Sequence, residues 1–475
     1  MQTGTEHPPD IGGNKNNYAT DHEQLEAGAN HTPGVATEKI VTPEQAYILN
    51  ACRALMMYGA PTHRLEAYMQ SSAEILKLSL QSFYMPGCMI ISMNGVHIVR
   101  CTQSLVLNKL YDVHAVYKDV IHKRVGVEEA TSVIESIMAR EDKFPRWVRV
   151  PIYGLASACI GPVSYGARPI DLPLIFILGS LVGFFELVIA QGSELYGYVF
   201  EMSSAILISF LGRALGSISL GHDHHFCFSA VAQASLVLIL PGFTITTSAL
   251  ELQSKNIVSG AVRMLYGIIY TLFLAFGFTV GITIYGAIDS NATSATTCRE
   301  PWPFWWQVTF VVPFTVFYIL VNQGNWRKMP AMLIVTLAGW LVNYFSSLHL
   351  MTVRSLPPAL GALTVGILAN LYSRLGHGLA IALMYPAIFI QVPGSLAASG
   401  SLVSGTALAN QLTHHTSKSV AAANATDVND ANTAILLSGY VMVEIAIGIT
   451  AGLSISALLV YPFRKRSGKS GLFTL

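Results

Sequence analysis

Residues 225–250 read HFCFSAVAQASLVLILPGFTITTSAL. Beyond His225 the run holds no ionisable side chain other than Cys227, and it is longer than the ~20 residues a helix needs to cross a bilayer. Pro241-Gly242 lies inside it. Proline removes a backbone donor and frees a carbonyl, and glycine lets another backbone or a ligand come close. In lipid every backbone group must be satisfied internally, so such a break is tolerated only within a bundle or beside a water-filled cavity. The stretch predicts a broken membrane helix.

The whole chain agrees with that reading. Of its 475 residues, 52% are hydrophobic and only 12% charged, against roughly 25% charged in soluble domains. Mean hydropathy is +0.49. A net charge of +1 offers no concentrated basic face for nucleic acid. The six cysteines, Cys52, Cys88, Cys101, Cys159, Cys227 and Cys298, form no CxxC pair and no zinc spacing, so neither a structural metal nor a disulfide framework is expected.

Working outward, ten apolar segments are read as membrane crossings: 150–166, 172–190, 198–218, 225–250, 259–285, 305–321, 330–346, 357–374, 378–402 and 435–461. Residues 1–41 are polar with no apolar core, and read as a disordered tail rather than a signal peptide. Residues 42–149 mix charges with amphipathic patterns, as a small soluble α+β domain does. Within it, Thr42-Pro43-Glu44 starts a helix to about Gly59, and Pro61 opens a second. Phe83–Met93 reads as a strand, Asn94-Gly95 as a hairpin turn, and Val96–Cys101 as the returning strand. Helices are expected over Leu105–Lys123 and Val127–Arg140.

The segments fall into two sets of five. Pro162 answers Pro313, Leu181-Val-Gly183 answers Leu337-Ala-Gly339, and Leu215-Gly216 answers Leu375-Gly376. Leu240-Pro241-Gly242 answers Val392-Pro393-Gly394, and Gly277-Phe-Thr-Val-Gly281 answers Gly448-Ile-Thr-Ala-Gly452. The expected architecture is therefore a mostly α-helical polytopic membrane protein. A first five-helix repeat spans 150–285, a connecting loop 286–304, a second repeat 305–463, and a basic tail 464–475. An odd number of crossings per repeat inverts the second copy. Inverted repeats with broken helices are typical of alternating-access transporters, whose sites lie near the midplane. Pro241, Gly242, Pro393 and Gly394 are thus expected to line a central cavity, although a packing kink explains such pairs as well.

Charge sets the expected orientation. Lys143, Arg146 and Arg149, then Arg327 and Lys328, then Arg464, Lys465, Arg466 and Lys469 all fall on one side, which the positive-inside rule makes cytoplasmic. The connections 286–304 and 403–434 then face away from the cytosol. Each carries a glycosylation sequon, at Asn291 and Asn424.

Ionisable groups within the membrane are costly and default to functional hypotheses. Glu444 lies in an apolar run, where a carboxylate could carry a coupling proton or bind an ammonium group; a structural pair with Arg263 or Arg213 is the blander account. Glu186, Glu201 and Glu251 lie nearer segment ends, where solvation is easier. Gln233 and Asn343 could bind solute or bridge helices as hydrogen-bond glue. His222-Asp223-His224-His225 has the composition of a metal or pH-sensing loop but no recognised spacing. His63, Arg64 and Glu66 lie within one helical turn of the soluble domain. Such groups can serve acid–base chemistry, so a hydrolase domain is a rival, yet neither a GxSxG motif nor a phosphate loop appears.

Several stretches, in this order, resemble the threonine/serine exporter family. They are Gly59-Ala-Pro-Thr-His-Arg-Leu-Glu66, Met85-Pro-Gly-Cys-Met-Ile-Ile-Ser92, Leu240-Pro-Gly242 and Glu251-Leu-Gln-Ser-Lys-Asn-Ile-Val-Ser-Gly260. Phe226-Cys-Phe-Ser-Ala-Val-Ala-Gln233 and Arg263-Met-Leu-Tyr266 make the chain most similar to the fungal branch, the pheromone-regulated membrane protein 10 group. The resemblance covers roughly 42–463 and implies a cytoplasmic N-terminal domain, ten membrane helices and export of small polar solutes such as threonine and serine. It implies a transporter rather than an enzyme, in contact with lipid and solute and with no cofactor. A membrane scaffold without transport is a further alternative.

Overall fold

Pro43 occupies the first turn of helix α1 (Pro43–Met57), where its missing N–H costs nothing. The structure is a computed structural model and describes residues 42–220, 223–224, 226–289, 291–298, 302–350, 353–375, 378–392, 402–403, 405–407 and 425–461. Gly59 ends the first helix in a left-handed conformation, φ +87°. Pro61 then caps α2 (Thr62–Leu76). Three short strands follow as an antiparallel meander: β1 (Gln81–Met85), β2 (Cys88–Ser92) and β3 (Val96–Arg100). The single strand expected over Phe83–Met93 is in fact two. Pro86 cannot donate to a ladder and Gly87 takes φ +79°, so the chain turns there before the Asn94-Gly95 hairpin. Helices α3 (Leu107–Ile121) and α4 (Val127–Ala139) complete this region. Tyr47, Ile48, Leu55, Leu65, Met69, Met89 and Val113 form its core.

Apolar helices occupy the rest. In order they are α5 (Arg146–Ser164), α6 (Leu172–Phe184, prolonged through a π-helical turn at Phe185–Ile189), α7 (Phe200–Gly216), α8 (Phe228–Ser235), α9 (Gly242–Gln253), α10 (Ile257–Ile288), α11 (Phe304–Val321), α12 (Met329–His349), α13 (Leu356–Arg374), α14 (Ala380–Phe389) and α15 (Ala425–Val460). Among the described residues, six helical stretches are long and apolar enough to cross a membrane: Leu172–Gly192, α10, α11, α12, α13 and Gly439–Val460. A seventh crossing results if α8 and α9 count as one span bent by 48°. α7 has 17 residues with Glu201 and Arg213 at its ends, and α14 has only 10, ending at Phe389 with Ile390 as its C-cap.

Contacts divide the connections into two groups. One group meets the soluble region. Leu107 N–H donates to the Asn322 carbonyl at 3.0 Å. Gln323 accepts from Phe144 N–H and donates back to its carbonyl, both at 2.9 Å, and Arg149 Nε donates to Val321 O at 2.9 Å. The other group gathers at the far ends of the helices. Buried Arg213 donates to the carbonyls of Thr293 (3.1 Å) and Ile282 (2.8 Å), and Trp302 Nε1 donates to Ala167 O. Fully buried Asp171 accepts from Cys227 N–H at 2.9 Å. Cys227 and Cys298 are joined by a disulfide across 71 residues. This corrects the expectation of no disulfide. Spacing carries no signal for a pair whose approach depends on two loops meeting.

The glycines of the two matched Gly-x-x-x-Gly stretches pack alike. Cβ atoms at Gly277 and Gly281 would strike Ala205, Met202 O and Ile206 O of α7. Cβ atoms at Gly448 and Gly452 would strike Ser355 O and Ala359 O, at the start of α13. α10 thus lies against α7, and α15 against α13, through small residues that let backbones touch. α5 and α11, which carry Pro162 and Pro313, pack on each other.

Two predictions follow from this packing. Denatured, unreduced protein should take up a polyethylene-glycol maleimide at Cys52, Cys88, Cys101 and Cys159 only, and reduction should raise the total to six; uptake at all six before reduction would refute the disulfide. The second concerns His114, which is buried against Tyr68 and Tyr117 with ring centroids 5.5 and 5.8 Å away. Burial, with lesser repulsion from Lys118 and Arg64, holds its imidazole down at about 3. The unfolded chain takes up a proton near pH 6.5 that the folded chain refuses. Stability should therefore fall as pH drops from about 6.5 toward 3, by up to about 1.4 kcal/mol per pH unit. His114→Phe should flatten that slope relative to the parent in denaturation at pH 4–7, and an unchanged slope would contradict the assignment.

Candidate functional site

Past the break at Pro241, helix α9 runs to Gln253, and the chain turns at Lys255 (φ +67°) into α10. That turn brings Glu251, Ser259 and Arg263 together. Ser259 and Arg263 are one helical turn apart and share a face. Glu251 is 2% exposed. Its Oε2 accepts from Ser259 Oγ at 2.7 Å, and its Oε1 accepts from Arg263 Nη1 at 2.9 Å. Oε1 also accepts from Thr62 Oγ1 in the soluble region. Thr62 is the first residue of α2, so the carboxylate faces the positive end of that helix. Arg263 Nη2 donates to Tyr84 OH at 2.7 Å and to Gln103 Oε1 at 2.6 Å. Burial raises the Tyr84 phenol above its ordinary range, which keeps it neutral beside the cation.

Glu251 and Arg263 form part of the wall of a cavity of about 860 Å³. The soluble region closes one side through Gly59, Pro86 and Gln103, while Phe243, Thr246 and Tyr385 stand on the membrane side. A second cavity of about 30 Å³ lies between the start of α9 and the end of α14, among Leu240, Gly242, Phe243, Phe389, Ile390 and Val392. That is room for about one water.

The residues singled out in the sequence are only partly gathered here. Pro241 caps α9, and Gly242 lines the smaller cavity beside Val392. Pro393 and Gly394 lie outside the described residues, as does Asn424. Glu251 and Arg263 stand at the centre. Gln233 is buried but bonds within its own helix, donating to Ser229 Oγ at 2.8 Å. Half-buried Asn343 lines neither cavity. Glu444 accepts from Ser355 Oγ at 3.0 Å and likewise lines neither. Asn291 is exposed.

In the soluble region, Glu66 accepts from Tyr84 N–H at 3.1 Å and so fastens β1. Burial raises its carboxyl above the ordinary range. Arg64 lies over the Tyr68 ring at 5.8 Å. The His63 side chain is outside the described residues. Sequence reasoning missed Thr62, Tyr84, Gln103, Ser259, Phe243 and Tyr385. Thr62 and Ser259 fall within the quoted stretches 59–66 and 251–260, but only the fold shows that these touch.

Chemically, the arrangement presents a carboxylate and a guanidinium side by side, with neutral hydroxyls and an amide completing their shells. Such a surface suits a small solute bearing both charges. An α+β region seated on a bundle of apolar helices, several of them long enough to cross a bilayer, defines a multi-pass membrane protein with an ionic site at the seam between the two. Residues 46–285 match the family described as "Putative threonine/serine exporter", and the chain belongs to that family. It is 43% identical over 464 residues to "Pheromone-regulated membrane protein 10" of Yarrowia lipolytica, covering 90% of this chain and 38% of that protein. The protein of the same name in Candida albicans (strain WO-1) is 43% identical over 444 residues, 92% of this chain and 39% of its own length. An uncharacterised Schizosaccharomyces pombe protein is 46% identical over 443 residues, 91% of this chain and 57% of that protein. The chain thus spans between 38% and 57% of these relatives. No solved structure matches.

The ion pair yields a stability prediction. Arg263→Met leaves Glu251 buried without its cation and should destabilise the detergent-solubilised protein by roughly 3–5 kcal/mol. Adding Glu251→Gln should recover most of that loss. Equal stability of the parent and Arg263→Met in chemical denaturation would show that the pair is not buried as described.

Proposed function

We propose that the chain is a secondary transporter that exports a small polar solute, a threonine- or serine-type amino acid, by alternating access. In this reading ten crossings form two inverted five-helix repeats, 150–285 and 305–463, with residues 42–149 and both termini on the cytosolic side. Support for the inversion comes from the matched packing of Gly277 and Gly281 on α7 and of Gly448 and Gly452 at the start of α13. Support for the orientation comes from the Cys227–Cys298 disulfide, which is kept in an oxidising compartment, at the end of the bundle away from the soluble region.

The observation that carries the reading is the buried Glu251–Arg263 pair in the wall of the cavity next to the Pro241 break. An amino acid carries the complement of both charges. Its carboxylate can take the place of Glu251 on Arg263, and its ammonium can take the place of Arg263 on Glu251, so neither buried charge is left alone when solute enters. Thr62, Ser259, Tyr84 and Gln103 keep the pair satisfied in the empty state. Protons are the coupling ion in this reading, with Glu444 a candidate carrier.

Purified protein in liposomes should move radiolabelled threonine or serine, faster under a pH gradient. Glu251→Gln and Arg263→Lys should each lower flux roughly tenfold or more, as loss of one charge-assisted hydrogen bond implies. Glu444→Gln should weaken the response to the gradient. Folded protein that moves no amino acid would overturn the proposal.

A further inference from the structure

Phe243 lines both the larger cavity and the smaller one. It follows directly on the Pro241-Gly242 break of the first half. Its ring packs against Tyr385 of α14, with centroids 5.4 Å apart and planes at 43°. Tyr385 lines the larger cavity from the second half and is itself 6% exposed. One ring from each half therefore stands where the two cavities adjoin.

Tyr385 has a second attachment. Its hydroxyl donates to the carbonyl of Gly59 at 2.6 Å. Gly59 holds φ +87°, and a Cβ there would lie 3.2 Å from both Ser104 O and Leu105 Cδ1. The position of that carbonyl is thus set by the close approach of α1 and the 104–105 segment within the soluble region. Tyr385 is tied from the membrane helices to a rigid point outside them.

We propose that Phe243 and Tyr385 form the gate between the two cavities, and that the soluble region holds the gate shut through the Tyr385–Gly59 hydrogen bond. The proposal rests on the transport reading and gives the soluble region a task within it. Tilted ring contacts and a single neutral hydrogen bond are weak interactions, so the gate opens thermally without loss of the fold. Solute arriving at Glu251 and Arg263 competes for the groups that dock the soluble region, Thr62, Tyr84 and Gln103. Displacing them loosens the Gly59 anchor and frees Tyr385. The size of the opening then limits which solutes pass.

The test uses Val237→Cys, at a position 7% exposed on the wall of the smaller cavity. An impermeant maleimide is added to sealed membrane vesicles on the side bearing the soluble region, and modification at position 237 is read by peptide mass spectrometry. Tyr385→Phe keeps the ring and removes only the hydroxyl. It should raise the modification rate roughly tenfold, the scale expected for loss of one hydrogen bond. Phe243→Ala should raise it further and admit tryptophan, a bulkier neutral amino acid, to flux. Phe243→Leu should fall between. Flux of serine with unchanged modification in all three variants would overturn the gate and leave the transport reading standing. Faster modification without flux of any amino acid would retain the barrier but remove the transport reading.

Discussion

Glu251 is a carboxylate that the fold takes almost entirely out of water, and a negative charge so placed must find partners or be neutralised by taking up a proton. Its partners come from separate stretches of chain. Ser259 and Arg263 arrive through the turn after α9, and Thr62 arrives from the soluble region. Arg263 in turn engages Tyr84 and Gln103. Removing any contributor exposes the others to the cost of an unpaired buried group. The seating of the soluble region on the helices, the course of the Gln253–Ile257 turn and the shape of the larger cavity all depend on this network.

The helices around it obey a different constraint. With few charges available, they associate through small residues. Gly154 and Gly179 bring α5 against α6, and Gly277 and Gly281 bring α10 against α7. Polar side chains inside the bundle mostly bond back to their own helix, as Thr246 does to Gly242 O and Thr271 to Gly267 O. Among the described residues, the ion pairs of the bundle stand at its two ends, Glu251–Arg263 at the seam with the α+β region and Arg168–Asp171 at the far end. The two largest clusters of buried apolar residues divide, one joining the soluble region to the second half and the other built mainly from the first half.

Much of this was legible in the residues. Pro241-Gly242 marked the start of α9, although the 48° bend itself falls a turn earlier, between Ser235 and Val237, and the Gly-x-x-x-Gly pair marked close helix contacts, because these signals are local backbone requirements. The helices of the soluble region began and ended close to their expected limits for the same reason. The extra turn at Pro86-Gly87 was hidden by the strand-forming residues on either side. Gln233 and Asn343 were selected for polarity alone, and polarity does not distinguish a residue bonded within its own helix from one that lines a cavity. Glu66, selected as a chemical group, serves the backbone of β1.

The sequence by itself determined the class of the protein: apolar segments long enough for a bilayer, breaks at Pro241-Gly242 and a polar α+β region ahead of them. Those properties follow from composition and from the stereochemistry of single residues. The tertiary structure alone decided that Thr62, separated from Glu251 by 189 positions, is its partner. It also decided that Cys227 meets Cys298, and that Phe243 meets Tyr385 beneath Gly59. These are encounters between distant segments, set by how helices pack and loops close, and no local pattern encodes them.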